Sequence, residues 1–341
     1  TMQKIQYLII ALLCAVAQGA WAADYNVGTA DELRSAIESE ATNITLTDNI
    51  TVDKHLTISR EITINLGGFT LSGNSTASTS SESFSCIFVV SDAGNLTLSN
   101  GTLADADNSA TPKTDHSGGA IVNKGTATLT NVNISNCKGS YGGAICNYGT
   151  VTFEGGTITG CTGSSYGGAV YVVSGGTFTM TGGVITDCTG DDGGAIYIQE
   201  GGTFTMSGGS IKNCTSVNHS GGAINNHGTC TVSGGTITGN RAKNYGGGVY
   251  TSKSITMSGK PYIKDNEGSN LYLDGSSTKI NCGAFRSGAK IGVSQSDYDS
   301  QSFAPSYFNH NKGIYPTTIF SADVSGFEVE LVSDVPYIQT N

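Results

Sequence analysis

Charge is scarce in this chain. Asp, Glu, Lys and Arg make up 13% of its 341 residues, and the 17 basic side chains are spread thinly, with no Lys/Arg cluster. A nucleic acid would find nothing to hold and would be repelled by a formal net charge of -10, so it is discounted as a partner. Direct attraction to an acidic polysaccharide is disfavoured on the same ground unless a cation bridges the two. Long apolar runs are missing as well: beyond Ala22 none could span a bilayer. There is no Cys-x-x-Cys pair and no cofactor motif, so neither a metal nor a cofactor is expected. Hydrophobic residues are not in short supply. They form 37% of the chain, with β-branched residues at regular intervals, which argues against disorder.

The segment 1–22 reads as a targeting leader. Lys4 supplies the positive end, Ile5 to Val16 the apolar run, and Ala20-Trp21-Ala22 a small-x-small cleavage site, so the mature chain is expected to begin at Ala23. Cys14 suggests a lipoprotein, but Leu13 stands where a lipobox needs a small residue. Export follows from this reading. The leader resembles those of bacteria of the Bacteroidales.

One short helix is expected next, within a capping region over 23–42. Thr29 and Glu32 form an S/T-x-x-E capping box, and Leu33 and Ile37 share a face. Period-two strands begin at once, with Ile44, Leu46, Ile50, Val52, Leu56, Ile58, Ile62 and Ile64 alternating with polar residues. A lone amphipathic helix before such a run suits a lid on an open sheet end.

A repeat then decides the architecture. Gly-Gly recurs at 118, 142, 167, 193, 221 and 246, so the spacing is nearly constant and its small variation falls in the turns. Ile134, Ile158, Ile185, Ile211, Ile237 and Ile263 are each followed, at the third position on, by Cys137, Cys161, Cys188, Cys214, Asn240 and Asn266. Such a period, with three short strands per unit, predicts a right-handed parallel β-helix, an all-β solenoid. One unit cannot bury its inward residues alone. Stacked at about 4.8 Å, units align like residues into columns. Ile121, Ile145, Val170, Ile196, Ile224 and Val249 are expected to point inward. The β-helix is expected over 43–292, with Gly-Gly-Ala repeats at 118–269 and a C-terminal cap over 293–341.

The units Gly118-Gly119-Ala120-Ile121 with Ile134 and Cys137, through Gly246 with Ile263 and Asn266, resemble the GGAI and FxxN repeats of the polymorphic outer membrane proteins. The departures are Ile for Phe and four Cys for Asn. The amino-terminal part, with its capping helix and the strand pair ITINLGGFTLSG, resembles the start of pectate-lyase-like secreted proteins. The resemblance implies a bacterial β-helix. It implies no single activity, because that fold carries adhesins, lyases, hydrolases and inert spacers. Members of the family are often adhesins with a carboxyl-terminal membrane barrel. No barrel is legible here, which leaves free secretion or a fragment of a longer chain.

Four constellations carry candidate chemistry. The stacked Cys137, Cys161, Cys188 and Cys214 read first as buried unpaired thiols. One or two disulfides are the alternative, because rung spacing brings Cα atoms within reach while parallel side chains point the same way. Asp191, Asp192 and His219 fall in the segments before Gly-Gly, and a carboxylate pair near a histidine is the raw material of acid–base catalysis. The plainer reading is that polar residues collect in wet turns. Tyr171, Tyr197 and Tyr250 occupy the outward position beside the inward Ile column, where an exposed aromatic strip could stack on sugars. Tyrosine is also simply a good strand former. Asp105, Asp107, Asn108, Asp115 and His116 could hold a hard cation, but lack the spacing of an EF-hand or of the GGxGxDx repeat, and a solvated loop is the plainer reading.

The favoured expectation is a secreted or cell-surface, adhesin-like rod that presents a repeated face to glycans or host material. A polysaccharide lyase or glycoside hydrolase, using Asp191, Asp192 and His219, is the alternative, and a spacer without ligands the third.

Overall fold

The computed structural model describes residues 24–73, 86–109, 118–296, 302–311, 313–323, 327–332 and 335–340. The expected leader, Asp115 and His116 lie outside them. The described chain is a parallel β-helix in which 29 strands form one continuous sheet winding around the core.

Each coil begins with a short strand on the first face. Ile121–Asn123, Ile145–Asn147, Val170–Val172, Ile196–Ile198, Ile224–Asn226, Val249–Thr251 and Leu271–Leu273 stack in register, Ile121 on Ile145, Ile145 on Val170, and onward to Val249 on Leu271. The second face carries Thr150–Phe153, Thr177–Met180, Thr203–Met206 and Thr229–Val232, with threonines facing out and Val151, Phe178, Phe204 and Cys230 facing in. The third face carries Ile134, Ile158, Ile185, Ile211 and Ile237 in one file. All three inward columns are dry, and Ile121, Ile145, Ile196 and Ile224 are each 0% exposed. Burial of each such side chain contributes about 1.5–3 kcal/mol, which no isolated unit could gain.

The corners explain the small residues. The position before each Cys or Asn of the column is Asn136, Gly160, Asp187, Asn213, Gly239 or Asp265, and all six have φ between 55° and 68°. This left-handed backbone is open to Gly and tolerated by Asn and Asp, and by few others. At the Gly-Gly corner Gly142 has φ 75°, and a Cβ on Gly143 would meet the Gly168 carbonyl oxygen at 2.2 Å. The next coil's backbone passes so close that only glycine fits.

Three strands per unit were expected, and the structure has a fourth. Asp107–Asn108, Lys138–Tyr141, Thr162–Tyr166, Thr189–Asp192, Thr215–Ser216 and Arg241–Ala242 form a separate six-stranded parallel sheet between the Cys/Asn column and the Gly-Gly corner. Their polar composition reads as loop. Stacking at rung distance nevertheless pairs their backbones, because every coil presents the same short segment at the same height.

Both ends are covered. The helix α1 (Ala30–Glu38) carries the expected capping box between Thr29 and Glu32 and buries Leu33, Ala36 and Ile37. The Arg60 guanidinium donates to the carbonyls of Ile37, Ser39 and Ala41, satisfying the helix's C-terminal end. At the other end the register persists past Asn270: Ile280–Phe285 pairs with Ile255–Gly259, and Lys290–Gln295 with Tyr262–Ile263. A short helix (Tyr307–His310) and an antiparallel pair, Phe327–Val332 with Val335–Thr340, follow. No helix among the described residues is long and apolar enough to cross a membrane.

Candidate functional site

The fourth face does not continue the outer wall. It folds back at the Gly-Gly corner, so its outward side chains meet the outward side chains of the first face in a re-entrant angle. Tyr141, the residue before Gly142, lies 5.7 Å from Tyr166, the residue before Gly167, measured between ring centroids. Both belong to the fourth face. They reach Tyr171 of the first face at 5.3 and 5.6 Å, and Tyr166 reaches Tyr197 at 4.6 Å.

From there the rings run on along the rod axis. Tyr197 packs on His227, His227 on Tyr250, Tyr250 on Tyr272, and Tyr272 on Tyr245, with centroids between 4.5 and 6.1 Å apart. Eight aromatic side chains thus form one ribbon. Five rung steps separate the level of Cys146 from that of Tyr272, about 24 Å at roughly 4.8 Å per rung.

The ribbon revises the expected strip. Tyr171, Tyr197 and Tyr250 share a face as expected, but that face is not open. Val122, Cys146 and Asn225 on the same file are buried, and Tyr171 is only 9% exposed, because Tyr141 and Tyr166 cover it. Tyr197 and Tyr250 remain half-buried, and Tyr245 is the most open at 54%. Burial raises the phenol pKa of Tyr171, Tyr197 and Tyr250, so all three are neutral hydroxyls at ordinary pH. Tyr250 donates its hydroxyl to Asp274 Oδ2 at 2.6 Å.

The structure divides the acidic pair. Asp191 turns outward, accepts from Asn218 and lies 3.6 Å from His219 Nε2, an exposed contact of little energetic weight. Asp192 turns into the angle. It accepts from the Asn225 amide and from the Ser220 backbone N–H at 3.3 Å. Burial raises its carboxyl pKa, against these hydrogen bonds and the nearby His219 and His227. The two carboxylates therefore have different surroundings, with His219 in contact with Asp191 and near enough for its charge to act on Asp192.

His227 and Tyr272 are site residues that sequence reasoning missed, Tyr272 in register with Tyr250. The case of His227 is the less obvious. It lies in the turn after Ile224–Asn226, off the strand register, and fills the aromatic gap that Asn225 leaves between Tyr197 and Tyr250. Its ring Nδ1 is 2.8 Å from Ser252 Oγ, and burial lowers its pKa, with Asp192 and Asp274 opposing. A depression of 430 Å³ opens beside it, lined by Glu200, His227, Lys253, Ser254 and Asn281, where Lys253 and Glu200 pair at 3.1 Å. Tyr141, Tyr166 and Tyr245 had a usable signal: each immediately precedes a Gly-Gly corner.

The cysteine column lies inside, away from this surface. All eight described cysteines are buried, and none is in a disulfide. Asp107 pairs with Lys138 at 3.4 Å and binds Ser109, and no cluster of three or more His, Cys, Asp or Glu placed for a metal occurs among the described residues. No protein-family model matches the chain, and comparisons with curated proteins and with solved structures return no significant match.

Proposed function

We propose that the chain is an exported bacterial surface protein that binds glycan chains along its aromatic ribbon, without turning them over. The observation that carries this reading is the ribbon's continuity over six rungs in a re-entrant angle. Tyrosine faces stack on the apolar faces of sugars. The neutral hydroxyls and the Asp192 carboxylate offer partners for sugar hydroxyls. A rigid repeat adds weak contacts along one extended ligand, so modest single contacts sum to useful avidity. The leader-like segment 1–22 and the Gly-Gly-Ala-Ile repeats, similar to those of the polymorphic outer membrane proteins, support export to the cell surface.

Titration calorimetry against a panel of neutral oligosaccharides tests it. Tyr197→Ala is expected to weaken binding by about tenfold, the worth of one lost aromatic contact of roughly 1.4 kcal/mol. No binding across the panel contradicts the reading and leaves a spacer, and binding indifferent to Tyr197→Ala contradicts the ribbon as its seat.

One observation favours a second reading, a lyase or hydrolase. A carboxyl group with a raised pKa, Asp192, sits in the angle beside Tyr197, Asn225 and His227. That is the setting of a general acid. Sugar release from a polysaccharide panel, lost on Asp192→Asn, would establish this reading in place of the first.

A further inference from the structure

A larger depression, of 850 Å³, opens on a different corner of the rod, where the second face turns into the third. Ser207, Ser233, Ser258 and Gly283 line its floor on successive coils, and Lys260, Arg286 and His310 stand on its walls. A second hollow of 390 Å³ continues from it through the shared Arg286 and adds Lys290, whose Nζ is anchored on the Thr318 carbonyl at 2.7 Å. No acidic side chain lines either hollow.

This is unusual in a chain with 27 Asp and Glu against 17 Lys and Arg. Arg34, Lys138, Arg241 and Lys253 each pair with a carboxylate, while Lys54 and Lys212 stand singly, so it is the gathering of cations at one place that sets the groove apart. Lys260, Arg286 and His310 have no such partner among the described residues. Uncompensated cations gathered over hydroxyls and glycine backbone make a local reversal of the protein's field.

We propose that this groove binds a linear saccharide carrying sparse carboxylate or sulfate groups. The floor repeats at rung distance, about 4.8 Å, which suits a chain lying along the axis rather than a single ion. Sparse charge matters. A nucleic acid, with one charge per about 1.7 Å of duplex, would meet the net repulsion of the whole rod, and no aromatic ring lines the groove to stack a base. The expectation that an acidic polysaccharide needs a bridging cation is replaced by direct contact at this one place. The ligand class rests on the glycan-binding reading above, while the residues are separate from the aromatic ribbon.

The test titrates the full chain with hyaluronate, chondroitin sulfate, uncharged dextran and duplex DNA at low and moderate salt. One or both charged saccharides are expected to bind, more weakly as salt rises. Lys260→Ala/Arg286→Ala is expected to cut that binding by roughly tenfold or more. Both side chains are exposed, so melting temperature should hold, and Lys260→Glu alone offers a second variant with the same expected direction. Lys54→Ala/Lys212→Ala makes the same charge change elsewhere and is expected to leave binding intact. Unchanged binding in Lys260→Ala/Arg286→Ala, equal loss in the Lys54/Lys212 pair, or DNA bound as tightly as the saccharides would overturn the proposal. Failure of the groove variants with Tyr197-dependent binding of neutral sugars intact would sink the groove alone and spare the ribbon.

Discussion

The Cys/Asn column shows how one backbone need can be met by two chemistries. Cys137, Cys161, Cys188 and Cys214 each direct their thiol at the carbonyl two positions back, at 3.3 to 3.5 Å. Asn240 and Asn266 donate from Nδ2 to the same carbonyl, at 3.1 and 3.0 Å. The amide does more. Asn240 donates to Asn266 Oδ1, Asn266 to Asn270 Oδ1, and Asn270 to Asp323, so a buried ladder replaces the thiol file toward the C-terminal end. The thiols should be inert. Burial pushes Cys86, Cys230 and Cys282 up to about 12, and at Cys137 the Cys161 thiol and burial both oppose ionisation. A thiol reagent at mildly alkaline pH is expected to label none of the eight described cysteines in the native protein and all eight in urea. Native labelling, or fewer than eight reactive thiols in urea without reductant, would speak for open or bridged cysteines.

His227 gives the residue scale a pH dependence. Its pKa in the fold lies below its ordinary value, so the unfolded chain binds more protons in that interval. Stability from this group is therefore complete above the ordinary histidine range and is lost as pH falls through it toward the lowered folded value. His227→Phe, which keeps a ring between Tyr197 and Tyr250, should flatten the fall in urea midpoint between neutral and mildly acid pH. An unchanged slope would mean that His227 is solvated in the folded protein. Asp192 acts in the opposite sense. Its raised pKa removes stability as pH rises from the ordinary carboxylate range through the raised folded value.

At the scale of the element, corners rather than strands specify the coil. Asn213 holds φ 55° immediately before Cys214, and its side chain is exposed. Asn213→Ala should cost about 1 kcal/mol, because alanine lacks the short polar side chain that lets asparagine tolerate the left-handed region, whereas Asn213→Gly should be nearly neutral. Chemical denaturation of the two variants compares them, and equal stabilities would contradict the corner account. The inward columns and the Gly-Gly corner were legible because period-two alternation and glycine recurrence survive changes in turn length. The fourth face was not. Segments such as Thr189–Asp192 lack apolar alternation, and their pairing comes from stacking on the coils before and after, at Thr162–Tyr166 and Thr215–Ser216. The same blindness hid the ribbon. From sequence, Tyr171 and Tyr197 follow an inward residue and so face out, and nothing local says that Tyr141 and Tyr166 fold back over them.

The whole molecule is a rod with two differently furnished corners, an aromatic angle and a basic groove, and with α1 closing one end. Closure matters because each coil exposes unpaired backbone until the next is laid on it. The polymer-like geometry also sets the function within reach. Repeated shallow contacts on a rigid support suit an extended ligand better than a small one. The candidate catalytic residues are divided between the outer edge, at Asp191 and His219, and the interior angle, at Asp192. The most direct test is a crystal structure of the chain with an oligosaccharide bound. Sugar rings should lie along the angle between the first and fourth faces, against Tyr197, His227 and Tyr250. A saccharide seated elsewhere with those rings untouched, or a fourth segment splayed away from the first face, would contradict the account.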